Sequence, residues 1–134
     1  MSREKCFVFG SNEGGIHGAG AAQAAYRKHG ARWGYGYGLQ GTSFAIPTKE
    51  AIGGTVGKTL PLERINQYVQ GFLAFAAGRP DLQFQVTRIG CGLAGLTDSQ
   101  IAPMFKGAPS NVLFDDAWRY LLGDKYHYWG TFDA

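Results

Sequence analysis

Cysteine is scarce in this chain: Cys6 and Cys91 are the only two in 134 residues. Two thiols so far apart do not make a disulfide framework, and no Cys/His cluster has the spacing of a metal site. Neither disulfides nor zinc are expected to hold the fold. Long apolar runs are missing as well. None approaches the ~18 residues that a membrane span requires, and Ser2-Arg3-Glu4-Lys5 leads into an apolar stretch too short for a signal peptide. Charge is sparse, at 17% Asp, Glu, Lys and Arg with a net +3. No basic run marks a stripe that would follow a nucleic-acid backbone. These absences point to a single cytoplasmic domain with no membrane partner, no metal and no resident cofactor. Its mild positive charge suits a small anion.

Glycine and apolar residues are what the chain has in quantity: 21 glycines and 45% hydrophobic content, enough for a sizeable core in one domain. The glycines cluster. Cys6 to Phe9 is a short apolar run of the kind buried on both faces of a sheet. It leads through Gly10-Ser11-Asn12-Glu13-Gly14-Gly15-Ile16-His17-Gly18-Ala19-Gly20 into an Ala-rich segment. That order, strand then glycine turn then helix start, lets backbone come close to a ligand and aims free N–H groups at it. A turn that needs glycine only for its geometry is the alternative. The G-x-G-x-x-G dinucleotide fingerprint fails at Gln23, and no Gly-Lys-Ser/Thr of a P-loop follows.

Alternating strand and helix patterns follow. Gly18 to His29 reads as a helix of small residues that can lie close on a sheet, with Gly30 as its stop. Trp33 to Gly41 alternates glycine with aromatics; it reads as a structural strand, with Tyr35 or Tyr37 stacking on a base as the alternative. Thr42 to Lys49 reads as a strand stopped at Pro47, and Ala51 to Lys58 as a flexible surface loop. Pro61 to Ala77 carries Leu62, Ile65, Val69, Phe72, Leu73 and Ala76 on one helical face. Leu82 to Ile89 is a strand that runs into a second glycine turn, Gly90-Cys91-Gly92-Leu93-Ala94-Gly95. Thr97 and Gln100 have capping-box spacing, and Pro103 limits the helix they open. Asn111 to Phe114 reads as a last strand. Beyond it, residues 115–134 form an aromatic extension in which Trp118, Leu121 and Leu122 can continue as a helix. The pattern is that of an α/β protein, a three-layer α/β/α sandwich with ligand sites beyond the carboxyl ends of strands. Two glycine turns at adjacent strand ends would make one cleft walled by amides, which fits a diphosphate.

The residues of these two turns resemble the ligand loops of macrodomains. Ser11-Asn12 followed by Gly14 to Ala22 is similar to the first loop, and Ile89 to Gly95 to the second. The chain more closely resembles small macrodomain-like proteins of phages and bacteria, which share stretches like Leu39 to Lys49 and Thr87 to Gly95. The resemblance runs from about Phe7 to Phe114. It implies a mixed sheet and binding of ADP-ribose or a related nucleotide diphosphate, and some macrodomains also release ADP-ribose from protein or nucleic acid. Nucleic acid enters only as such a modified substrate. Carried over, Asn12 would face the distal ribose, while Gly18, Ala19 and Gly20 with Gly90, Cys91, Gly92, Leu93, Ala94 and Gly95 would hold the phosphates. Gly10 and Ser11 stand where the family has an Asn-Ala-Ala-Asn stretch, and the family's early adenine-reading Asp has no counterpart ahead of Phe7.

The chemistry-bearing side chains each have two readings. Asn12 can donate and accept at once, suiting ribose or a water, or it can open an Asx turn. His17 is a candidate general base, or a surface loop histidine. Glu13 is a weaker base candidate. Lys49 can meet a phosphate as a point charge, and Arg88 can pair with Glu13 or a phosphate. Asp98 falls at a helix start, where carboxylates are favoured. Cys91 with His17 would make a nucleophilic pair, a thiol hydrolase, but no third orienting residue is evident. Between hydrolysis of an ADP-ribosyl bond and a module that merely sequesters a nucleotide signal, the presence of Asn12 tips the reading toward hydrolysis.

Overall fold

The computed structural model describes residues 3–132. Within them seven strands form one mixed sheet: β1 (Glu4–Asn12), β2 (Gly38–Gln40), β3 (Ser43–Ile52), β4 (Thr55–Thr59), β5 (Leu82–Val86), β6 (Val112–Asp115) and β7 (His127–Gly130). The order across the sheet is β2-β3-β1-β5-β6-β7, and β4 pairs with the outer end of β3. Strands β3, β1, β5, β6 and β7 run parallel, while β2 and β4 are antiparallel to β3. The helices are α1 (Gly20–Lys28), α2 (Leu62–Ala77), α3 (Asp98–Ile101) and α4 (Arg119–Leu122), with 3-10 turns at Ala102–Phe105 and Asp116–Trp118.

Strand alternation sorts β1 between two cores. Phe7 and Phe9 pack with Ala22 and Ala25 of α1 on one face. Cys6 and Val8 pack with Ile65, Val69 and Phe72 of α2, and with Ile101, Phe105 and Trp118, on the other. This is the three-layer α/β/α arrangement. Its larger core is aromatic, with Phe72 edge-on to Phe84 and Phe105 beside Phe114 and Trp118. The capping box at Thr97 and Gln100 forms as the spacing predicts, and Pro103 converts the helix after it into a 3-10 turn.

Three segments differ from their sequence reading. Pro47 does not stop its strand. β3 continues to Ile52 because the pairing with β1 slips between Ser11 and Asn12: Pro47 sits opposite Ser11 and Lys49 opposite Asn12, leaving Thr48 as an extra residue. A bulge is one of the few interior places where a proline's missing N–H is tolerated. The stretch from Ala51 to Lys58 is a hairpin rather than a loop. Ile52 pairs with Thr55 across Gly53 and Gly54, whose φ values of 59° and 80° are those of a two-residue type I′ turn. Within residues 33–41 only Gly38–Gln40 is strand. Beyond Gly123 the tail supplies β7, which extends the sheet beside β6.

One side chain secures the end of α2. The buried Asn111 amide donates to the carbonyls of Ala76, Arg79 and Leu82 at 3.0, 2.9 and 3.2 Å. Removing it leaves buried acceptors unmet. Asn111→Ala is expected to lower the unfolding free energy by about 2–3 kcal/mol, read as a lower urea midpoint with an unchanged slope.

Candidate functional site

Strands β1 and β5 lie side by side and parallel, with Val8 opposite Val86. The connections that follow them leave in opposite directions. After β1 the chain crosses to α1 on one face; after β5 it crosses to α3 and the 3-10 turn on the other. Between them lies a topological switch point, where open α/β sheets form a crevice at the carboxyl ends of the strands. Both glycine turns border it. They meet at its floor, where a Cβ added to Gly10 would stand 3.4 Å from the Gly90 nitrogen. Gly10 thus forms part of the crevice floor and is partly exposed. Ser11 is buried in the strand, its carbonyl accepting from Thr48 Oγ1 at 3.3 Å.

The first loop is closed by Asn12. Its Nδ2 donates to the Ile16 carbonyl at 2.8 Å and its Oδ1 accepts from the Ile16 amide at 2.9 Å. The side chain therefore closes the turn by bonding backbone four residues on, a wider version of the Asx turn. From there Gly18, Ala19 and Gly20 are exposed. Ala19 caps α1 without any side-chain bond, and the amides of Gly18 and Ala19 and of the helix's first turn have no acceptor among the described residues. The second loop is held from below. Leu96 N–H donates to the Gly90 carbonyl at 2.8 Å, Gly95 N–H to Gly92 at 3.0 Å, and Thr59 Oγ1 to Ala94 at 2.7 Å. The amides of Gly92, Leu93 and Ala94 have no acceptor among the described residues. Two rows of N–H groups without acceptors among the described residues thus border one crevice, one row backed by a helix dipole. Lys49 is partly buried and stands opposite Asn12 in the strand register, its carbonyl accepting from Glu13 N–H at 2.9 Å.

The ionisable groups are already engaged. Glu13 accepts from Tyr68 at 2.6 Å and from Arg64 at 2.9 Å, and these bonds, Tyr68's first, hold its carboxyl below the usual value. Arg88 does not pair with Glu13: it makes a two-pronged bond to Asp98 at 2.7 and 2.6 Å, and Asp98 also accepts from Trp118 Nε1 at 2.7 Å. His17 is neither a surface loop residue nor a free base. It is 1% exposed, edge-on to Phe9 and beside Trp33, with Nε2 at 2.8 Å from the Arg32 carbonyl. That contact makes Nε2 the protonated nitrogen and leaves buried Nδ1 without a partner. Burial pushes its pKa down, so the ring is neutral at pH 7. Cys91 packs against the α2-side core, whereas His17 packs against Phe9 of the α1-side core. The nucleophilic pair does not assemble.

No family model, no curated protein and no solved structure matches this chain. The site has to be read from its own geometry. A cavity of about 280 Å³ lies away from the crevice, at the amino ends of β6 and β7, lined by Gly107 to Ser110 and Lys125 to His127. There the Gly107 amide already donates to the Tyr126 hydroxyl at 2.7 Å. With its amide occupied it offers less to an anion than the crevice.

Four residues that shape the crevice carry no sequence signal: Thr59 tethers the second loop, Gln40 tethers residues 32–35, and Tyr68 with Arg64 fixes Glu13. Each acts over a separation that no local period encodes.

Two outcomes follow from the charges. Burial, with the Asp98 charge second, pushes the Cys91 thiol up to about 12. Iodoacetamide at pH 7.5 should leave Cys91 unlabelled over the time in which a free thiol peptide reacts fully, and Cys91→Ser should keep ligand affinity. Asp98 has its carboxyl held below the usual 3.8, first by the Arg88 bonds. A depressed folded pKa gives stability that is present above the unfolded value and lost as pH falls through the folded one. The urea midpoint should therefore drop below about pH 4, and Asp98→Asn should flatten that drop while costing about 1 kcal/mol at pH 7, since Arg88 is solvent-screened.

Proposed function

We propose that this chain is a macrodomain-like module that binds ADP-ribose or a related nucleotide diphosphate in the crevice between its two glycine loops. The observation that carries this reading is the pairing of two unmet amide rows at the switch point between β1 and β5. A diphosphate spreads its charge over several oxygens and is well met by backbone N–H groups and a helix end, with no Arg clamp needed. Gly18, Ala19 and Gly20 hold one side; Gly92, Leu93 and Ala94 hold the other. Lys49 adds a positive charge at the back.

The geometry favours holding over hydrolysis, although Asn12 alone tips the sequence the other way. Hydrolysis needs a placed water and an acceptor for its proton. Asn12 is committed to Ile16, His17 is buried against Arg32, Glu13 is ion-paired and the Cys91 thiol stays protonated. The phosphate of the substrate itself is the acceptor that would remain. The test is a panel. Calorimetric titration with ADP-ribose, AMP and NAD should give one site for the diphosphates. Incubation with ADP-ribosylated protein and nucleic acid should release no ADP-ribose. Release that His17→Ala abolishes, with affinity kept, would restore the catalytic reading.

A further inference from the structure

We propose that Trp33 and Tyr35 form a fixed stacking platform for the nucleobase of the ligand, a subsite that rests on the nucleotide-binding reading of the neighbouring loops. Both rings stand in solvent, at 53% and 57% exposure. Aromatic side chains left outside on a glycine-rich segment suggest a mobile loop, yet this segment is pinned. The Arg32 carbonyl accepts from His17 and the Arg32 amide donates to Gln40 Oε1 at 2.7 Å. Gln40 Nε2 donates to the Tyr35 carbonyl at 2.7 Å, and the Gly34 amide to Gly15 at 2.9 Å. His17 and Gln40 are themselves buried. Two interior polar side chains are thus spent on holding two exterior aromatics.

The Trp33 ring is also oriented. Trp33 meets Tyr26 of α1 at 5.6 Å and 72°, and His17 at 6.3 Å and 76°, edge to face with both. Tyr37, two residues past Tyr35, differs: its hydroxyl donates to the Tyr68 carbonyl and its ring packs edge-on to Phe44, so it is structural. The platform adjoins the first glycine loop. Gly15 lies so close that an added Cβ would come 2.2 Å from the Tyr35 nitrogen, and Gly36 packs equally tightly on the Asn12 carbonyl. Phosphates held at the glycine loop would therefore carry a base toward Trp33, whose ring is held, and Tyr35, whose backbone is pinned, which lowers the ordering cost of stacking. Stacking tolerates any base.

Indole fluorescence reads this directly, because Trp118 is fully buried and Trp129 is half-buried with its Nε1 bonded to Val86. The wild-type chain is titrated with ADP-ribose, adenosine, ribose 5-phosphate and pyrophosphate. ADP-ribose should quench the emission and bind ~10–100-fold tighter than pyrophosphate. Tyr35→Ala and Trp33→Ala should each remove about tenfold of that advantage and leave pyrophosphate affinity unchanged, whereas Tyr35→Phe and Tyr120→Ala, the latter an exposed aromatic on α4, should leave both unchanged. Equal affinity for ADP-ribose and ribose 5-phosphate with no quenching would overturn the platform while the crevice reading stands. Quenching by adenosine that Tyr35→Ala abolishes, with no binding of pyrophosphate, would keep the platform and overturn the crevice. Absence of any binding would overturn both. Quenching by a protein partner alone would also overturn the platform.

Discussion

Gly15→Ala is expected to lower the unfolding free energy by about 3–4 kcal/mol and to abolish ligand binding with it. Two effects add at this position. Gly15 has φ of +67°, where a side chain costs roughly 1–2 kcal/mol. The new Cβ would also stand 2.2 Å from the Tyr35 nitrogen and 2.4 Å from the Gly34 carbonyl carbon. These are backbone atoms, pinned by the Gly34–Gly15 and Gln40–Tyr35 hydrogen bonds, so they cannot swing aside as a side-chain tip would. The first loop must open, and Asn12 loses its hold on Ile16. Gly18→Ala is the control. Gly18 is outside the positive-φ region and nothing lies within 4 Å of an added Cβ, so its urea midpoint should match the wild type. Equal midpoints for the two variants would show that residues 33–36 do not brace the loop.

Gly18→Asp and Gly92→Asp should do the reverse, leaving the fold intact and removing the ligand. Both positions are open and free of a positive φ. A carboxylate ahead of α1 is favoured by the helix dipole, so the fold gains if anything. Against a bound diphosphate it is a like charge at contact. At ~4 Å and an effective dielectric of ~20 the repulsion is about 4 kcal/mol, which salt screening reduces to roughly a 100-fold loss of affinity. The loss should shrink with rising salt. Gly18→Asn and Gly92→Asn, isosteric and uncharged, should lose far less. A Gly92→Asp variant that binds as tightly as the wild type would place the ligand away from the second loop.

The sequence made the frame legible and the site only in part. The strand into Gly10, the strand before Gly90 and the stripe of α2 are each carried by a local period, so the two glycine turns were already visible at strand ends. What made them one crevice was not visible: the adjacency of β1 and β5 depends on α2 carrying the chain past β1, which no short pattern records. Pro47 misled because its bulge depends on the partner strand. Ala51 to Lys58 misled because its glycines, Gly53, Gly54 and Gly57, have low strand propensity, while the pairing comes from β3. His17 lies between Ile16 and Gly18 with no period to mark it as buried; its cover comes from Tyr26 and Trp33, distant in sequence and brought over it by the fold. Asn12 was legible as a polar residue ending a strand, and the choice between its two readings was made by the Ile16 backbone, which only the folded turn presents.

The most direct measurement is a ¹H–¹⁵N correlation spectrum of the full chain titrated with ADP-ribose at low salt. The amides of Gly18, Ala19, Gly20, Gly92, Leu93 and Ala94 should shift together, along one binding curve, while those lining the Gly107–His127 cavity stay still. Shifts confined to that cavity, shifts in one glycine loop without the other, or no shift at all at millimolar ADP-ribose would contradict the account.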